Sequence, residues 1–250
     1  MKHLLAPPQL ERLSRAIERR FLVAFDFDGT LAPLANDRDA VQLRERTREL
    51  FEGVCARYAC AVISGRARED VATRLEGTRV KYVVGNHGSE PHERVEQFAA
   101  EIDDVRAPLA SALAGCEGVE IEDKRYSLAI HYRAAPDRAR VRSAIDAAVS
   151  AFAHRLRKIP GKLVLNLVPV QAPDKGDALQ RLMASEQAEV ALYVGDDITD
   201  EDVFRLDKPG NLLTARVGAA QFSAARYYLR DQQEIDSLLA QLILFRPEAR

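Results

Sequence analysis

Phe21-Leu22-Val23-Ala24-Phe25-Asp26-Phe27-Asp28-Gly29-Thr30-Leu31 decides the fold, because an apolar run stops abruptly at two aspartates separated by a phenylalanine. A continuous apolar stretch with Val and Phe in it suits a strand buried on both faces of a parallel sheet, and Gly29-Thr30 is a turn signal directly after it. In open α/β sheets, ligands bind beyond the carboxyl ends of strands. If the backbone stays near-extended through Asp26 and Asp28, side-chain alternation puts both carboxylates on one side. Like charges so close repel, so a cation or a shared proton is expected there.

The same grammar recurs outward from this stretch. Residues 59–63 form a second apolar run that stops at Ser64-Gly65-Arg66, and residues 80–84 a third that stops at Gly85-Asn86-His87-Gly88-Ser89-Glu90. Residues 190–194 lead in the same way into Gly195-Asp196-Asp197-Ile198-Thr199-Asp200-Glu201. Apolar residues at helical spacing mark helices over 9–20, 41–58, 67–75, 174–185 and 233–244, with further strands at 212–217 and 227–229. Strands alternating with helices indicate βαβ units and a parallel sheet. The pattern differs between 91 and 170: helix 91–116, strands 119–122 and 126–132, helix 136–153, then strands 155–159 and 163–168 joined by Pro160-Gly161. That order describes an α+β layer inserted into the α/β core, so residues 1–90 and 171–250 read as one domain and 91–170 as a second.

Composition narrows the partners. With 36 basic and 38 acidic residues the net charge is -2, which implies no nucleic-acid or other polyanion partner. The three cysteines, Cys55, Cys60 and Cys116, lack metal-ligand spacing and read as reduced thiols. No apolar run is long enough to span a bilayer and the amino-terminal stretch is too poor in apolar residues for a signal peptide. A monomeric cytoplasmic protein is expected.

Four polar clusters carry the chemistry: Asp26/Asp28/Thr30, Ser64-Gly65-Arg66, Lys175-Gly176 and Asp196/Asp197/Asp200. Three of them follow strands, so a parallel sheet gathers them along one edge. Carboxylates without histidine or thiolate neighbours suit a hard cation such as Mg²⁺, which adds substrate phosphate oxygens to a few protein carboxylates. Serine and lysine then serve as phosphate holders. Phosphoryl transfer needs a nucleophile and donors for the transferred oxygens, and an aspartate can form a covalent aspartyl-phosphate. A second acid can protonate the leaving oxygen and later activate water, so the Asp26/Asp28 pair supplies both roles. Taken alone, Ser64 also reads as the N-cap of the helix after it, and Asp197 and Asp200 as helix-starting residues.

In order and interval, these clusters resemble the motifs of the haloacid dehalogenase (HAD) superfamily of phosphatases. The fold implied is an α/β, Rossmann-like HAD core with a parallel sheet plus an inserted α+β cap. The resemblance makes Asp26 the nucleophile, Asp28 the general acid/base and Thr30, Ser64, Gly65 and Lys175 the phosphate binders. It makes Asp26, Asp196 and the Asp28 carbonyl the Mg²⁺ ligands, with Asp197 and Asp200 as outer or additional ligands. Within the superfamily, Asp26 to Pro33, Val62 to Arg66, Gly195 to Glu201 and His87-Gly88-Ser89-Glu90 are similar to trehalose-6-phosphate phosphatases. So are Glu120-Ile121-Glu122-Asp123-Lys124 and Leu128-Ala129-Ile130-His131-Tyr132-Arg133 in the insert. That similarity implies hydrolysis of trehalose 6-phosphate, with Arg66, His87, Glu122, Lys124, Arg133 and Asn166 on the substrate. Asn166 stands where the family usually has glutamate, so it accepts from a sugar hydroxyl without charge assistance. Other readings are a phosphatase for sucrose phosphate or glucosylglycerol phosphate, a phospho-accepting signalling domain, or an inactive sugar-binding homologue.

Overall fold

A computed structural model describes residues 1–35, 37–206 and 210–246. The chain divides into two compact units, Met1–Gly88 with Asp174–Arg250, and Ser89–Pro173. The insert read at 91–170 lies inside the second.

The first unit is built on a seven-stranded, wholly parallel sheet. Its strands are β1 (Lys2–His3), β2 (Phe21–Phe25), β3 (Ala59–Ile63), β4 (Tyr82–Val84), β9 (Val190–Gly195), β10 (Leu212–Val217) and β11 (Tyr227–Leu229), in the spatial order β1-β11-β10-β9-β2-β3-β4. The chain leaves β2 toward one edge through β3 and β4, then returns to the other side through β9. A crevice therefore opens at the carboxyl ends of β2 and β9, the switch point where such sheets bind ligands.

The continuous apolar runs follow from burial on both faces. Phe21, Val23 and Phe25 join one core with α1 (Pro7–Ala16), α2 (Glu45–Cys55), α3 (Arg68–Arg74) and α8 (Glu234–Phe245). Leu22 and Ala24 join the opposite core with α6 (Lys175–Ser185) and α7 (Glu201–Phe204). Neither face of β2 meets water, so alternation would be costly there.

The second unit is a four-stranded antiparallel sheet with order β5-β6-β8-β7. It comprises β5 (Glu120–Asp123), β6 (Leu128–His131), β7 (Leu156–Gly161) and β8 (Val164–Pro169) with the helices α4 (Val95–Leu113) and α5 (Arg138–Ser150). Leu128, Ile130, Leu165 and Leu167 face the two helices in one core. Two local expectations are corrected. The β7–β8 hairpin does not turn at Pro160-Gly161: both lie in β7, with Pro160 opposite Leu165, and Leu163 turns the chain at φ 63°. Proline fits because β7 is an edge strand. Pro136 also precedes α5 rather than opening it, since Asp137 is the N-cap and accepts from the Arg140 N–H. Among the described residues, no helix is long and apolar enough to cross a membrane.

Candidate active site

Asp26 is the first residue beyond β2, and its backbone N–H donates to the Val194 carbonyl of β9 at 2.8 Å. The two central strands thus fix it at the crevice. Lys175 Nζ lies 2.9 Å from Asp26 Oδ1 and 2.8 Å from Asp200 Oδ1, and all three residues are buried. One oxygen from each of Asp26, Asp196 and Asp200 lies within 4.8 Å of the other two. Among the described residues this is the group of carboxylates suited to a metal ion. Burial pushes the Asp26 carboxyl well above the ordinary carboxylate range; Lys175 works against this, and Asp200, Asp196 and Asp28 add to it. Asp196 is pushed up to about 7, first by burial and then by Asp200 and Asp197. Burial opposes the charge on Lys175, but Asp200 and Asp26 outweigh it and the ammonium persists. Three carboxylates face one ammonium, and hard oxygen donors with this charge deficit fit a divalent cation such as Mg²⁺.

Local sequence explains each placement. Lys175 opens α6, whose cap Asp174 accepts from the Asp177 N–H at 2.9 Å while Asp177 accepts from the Asp174 N–H at 3.2 Å. This reciprocal capping box starts the helix at the lysine. Gly29 has φ +78°, and a Cβ there would overlap the Asp196 carboxylate. A Cβ on Gly195 would overlap the Asp200 carboxylate in the same way. The two glycines are the room in which the carboxylates sit. Gly29→Ala is therefore expected to cost about 1–3 kcal/mol from positive-φ strain and overlap. A calorimetric melt and a cation titration check this, with a lower melting temperature and weaker cation binding expected; an unchanged pair of values contradicts it.

Asp28 has protein partners of its own. It meets Arg66 in a two-pronged pair, Nε to Oδ2 at 2.8 Å and Nη2 to Oδ1 at 2.7 Å. The same guanidinium donates to Asp70 at 2.8 Å and to the Arg38 carbonyl at 2.7 Å. Arg66, expected on the substrate, holds Asp28 through these bonds. Each aspartate of the pair thus has its own protein cation, which is how the fold answers their repulsion. Nothing in the sequence marked Asp70, one helical turn beyond Arg66, as the third member of this group.

Ser64 is buried, its Oγ accepts from the Arg66 N–H at 3.2 Å, and α3 begins later with Ala67 as cap, so Ser64 is not a helix N-cap. Gly65 lies under the buried ring of His87, which a Cβ at position 65 would overlap. The His87 N–H donates to the Ser64 carbonyl at 2.9 Å and the Asn86 N–H to the Arg66 carbonyl at 2.7 Å, locking the two loops together. Thr30 is buried and donates to Asp196 at 3.4 Å. Asp197 is exposed and stands outside the carboxylate group; its backbone N–H donates to Asp200 Oδ2 at 2.9 Å. The sequence left open whether Asp196 or Asp197 meets the metal first; Asp196 lies in the carboxylate group, and so does the buried Asp200.

The remaining candidates lie in the second unit. Glu122, Ala129, Asn166 and Ile159 form one row across the four strands, on the face away from the helices. Lys124 Nζ donates to Asn166 Oδ1 at 3.4 Å, and His131 Nε2 lies 2.9 Å from Glu122 Oε2. Arg133 is exposed just past β6. Small Ala129 between Glu122 and Asn166 leaves a polar shelf of donors and acceptors suited to hydroxyl groups.

Comparison with known proteins identifies the family. A family model described as trehalose-phosphatase matches residues 24–232. The chain is 28% identical to a probable trehalose-phosphate phosphatase 9 of Oryza sativa subsp. japonica, over 97% of this chain and 75% of that protein. It is 37% identical to a trehalose-phosphate phosphatase of Mycobacterium tuberculosis over 81% of this chain and 56% of that one. The fold matches the C-terminal domain of a C. albicans trehalose-6-phosphate phosphatase at TM-score 0.80 and 21% identity, covering 98% of both chains. It also matches a Synechocystis sucrose-phosphatase at TM-score 0.58 and 17% identity, covering 91% and 98%. The core is thus a HAD fold, and with the family model spanning both arms of that core and the insert between them, the chain belongs to the trehalose-phosphatase family, a phosphatase hydrolysing a phosphoric monoester.

Proposed function

We propose that this chain hydrolyses trehalose 6-phosphate to trehalose and phosphate in a Mg²⁺-dependent reaction, with Asp26 as nucleophile. The observation that carries the reading is the buried Lys175–Asp26 pair at the sheet's switch point, beside Asp196 and Asp200. Asp26 attacks phosphorus and the bond to the sugar oxygen breaks, while Asp28, with its two-pronged pair to Arg66 opened and a proton taken up, gives that proton to the oxygen. Water then attacks the aspartyl-phosphate and returns a proton to Asp28. Lys175, Ser64, Thr30 and the Gly65 backbone hold phosphoryl oxygens. Asp26, Asp196 and the Asp28 carbonyl would hold the cation, which supplies countercharge to those oxygens. The second unit acts as cap, with Glu122, Lys124, Arg133 and Asn166 reading the second sugar and rejecting substrates that leave them unpaired.

A phosphate-release panel tests the class and the sugar together. Trehalose 6-phosphate is expected to give the highest kcat/KM, above sucrose, glucosylglycerol and glucose phosphates; a preference for another member replaces the substrate, and release from none removes the sugar phosphate as substrate. EDTA is expected to silence the enzyme and Mg²⁺ to restore it.

The cation also competes with a proton on Asp196, held up to about 7 by burial. Its affinity should therefore rise with pH toward neutrality, with proton release on binding below that. Without cation the sign for stability is the opposite. A carboxyl with a raised native pKa binds more protons folded than unfolded, so the EDTA-treated protein should lose stability between about pH 4 and about pH 7. Calorimetric titrations and melts across that range check both slopes.

A further inference from the structure

Tyr193 is a buried titratable group for which the steps above have no use. It lies in β9 within an otherwise apolar run, completely buried, its ring edge-on to Phe204 at 6.1 Å. A tyrosine in such a place needs a partner for its hydroxyl, and it donates to Asp200 Oδ1 at 2.7 Å. That same oxygen accepts from Lys175 Nζ at 2.8 Å, while Asp200 Oδ2 accepts from the Asp197 N–H at 2.9 Å. Both acceptor positions of Oδ1 are therefore filled, and the carboxylate is pinned from three directions. Two of the three N–H bonds of the ammonium point at Asp26 and Asp200.

This arrangement has a consequence for Lys175, whose charge two carboxylates divide. If Asp200 turned away from Lys175, the ammonium would settle on Asp26 alone. It would then damp the nucleophile and lose its setting toward a phosphoryl oxygen. We propose that Tyr193 is a positioning residue for phosphoryl transfer: its hydroxyl fixes Asp200 on Lys175, and so divides the ammonium between Asp200 and the attacking carboxylate. The proposal rests on Asp26 being the nucleophile. Burial and the Asp200 charge push the phenol well above its ordinary range, so it remains a donor at working pH.

The test is Y193F, which removes one oxygen, alongside Y193M, which fills similar space with a flexible side chain. Both are checked by far-UV circular dichroism and a melt before assay. The expected result is a kcat lowered by about tenfold or more with KM within about twofold, for the sugar phosphate and for p-nitrophenyl phosphate. Inhibition by orthovanadate, a mimic of the five-coordinate phosphoryl group, should weaken by the same factor. Inhibition by inorganic phosphate and Mg²⁺ affinity of the substrate-free protein, by calorimetry, should both stay within about threefold. A folded Y193F with wild-type kcat overturns the proposal, as does a loss confined to KM or a vanadate constant that fails to track kcat. If neither variant folds, Tyr193 is a folding residue and the proposal falls. Failure of wild-type protein on every sugar phosphate would remove the substrate reading alone, because p-nitrophenyl phosphate and vanadate still decide this one.

Discussion

Asp26→Asn is expected to leave a folded protein that releases no phosphate, with turnover down by more than about 10³-fold. A neutral amide cannot form the aspartyl-phosphate. Stability should not fall with activity. The Asp26 carboxyl is held well above its ordinary range, chiefly by burial, so its charged form is unfavourable in the metal-free protein. Asparagine keeps the shape and removes that cost, while Lys175 retains Asp200 at 2.8 Å. The melting temperature without cation should therefore stay level or rise. Phosphate release and a melt on the same preparation check the pair of outcomes. Retained turnover would remove the nucleophile assignment, and a large fall in melting temperature would mean that the Lys175–Asp26 pair is mainly structural.

Asp28→Asn should lower kcat by about 10²–10⁴-fold, the usual contribution of a positioned acid and base, with KM little changed. The fold should survive, because Arg66 keeps Asp70 at 2.8 Å and the Arg38 carbonyl at 2.7 Å when the two-pronged pair is lost. The defect should depend on the leaving group. A sugar alkoxide needs a proton to depart, whereas p-nitrophenolate does not, so rapid-quench formation of the phosphoenzyme from p-nitrophenyl phosphate should be far less impaired. The later hydrolysis, which needs the base, should be slow with either substrate. A change in KM alone, or equal impairment of the first step with both leaving groups, would assign Asp28 to binding.

Much of the core was legible because its sheet is buried on both faces. Residues 212–217 and 227–229 read as strands at the positions where β10 and β11 lie, since short apolar runs between turn signals have few other solutions. The short edge strand β1 was not legible: Lys2 and His3 carry no apolar signal, and they pair because β11 offers a free edge. Nor was the Lys162-Leu163 turn, where cross-strand register overrode the local preference of Pro160-Gly161.

The site divides along the same line. Sequence alone determined which residue types stand at the strand ends, since two aspartates after β2, a serine after β3 and a lysine after the insert are matters of order and spacing. Only the tertiary structure decided their partners. Arg66 stood in the sequence only as a candidate for the substrate, and the fold brings Asp28, Asp70 and the Arg38 carbonyl around it. Asp200 and Asp197 are equivalent as letters, yet one is buried on Lys175 and the other exposed. Tyr193 gave only the hint of a hydroxyl in an apolar run. The physical reason is that backbone propensity and burial pattern act over a few residues, whereas a charge is matched by whatever the folded chain carries to within about 3 Å of it, the reach of a charge-assisted hydrogen bond.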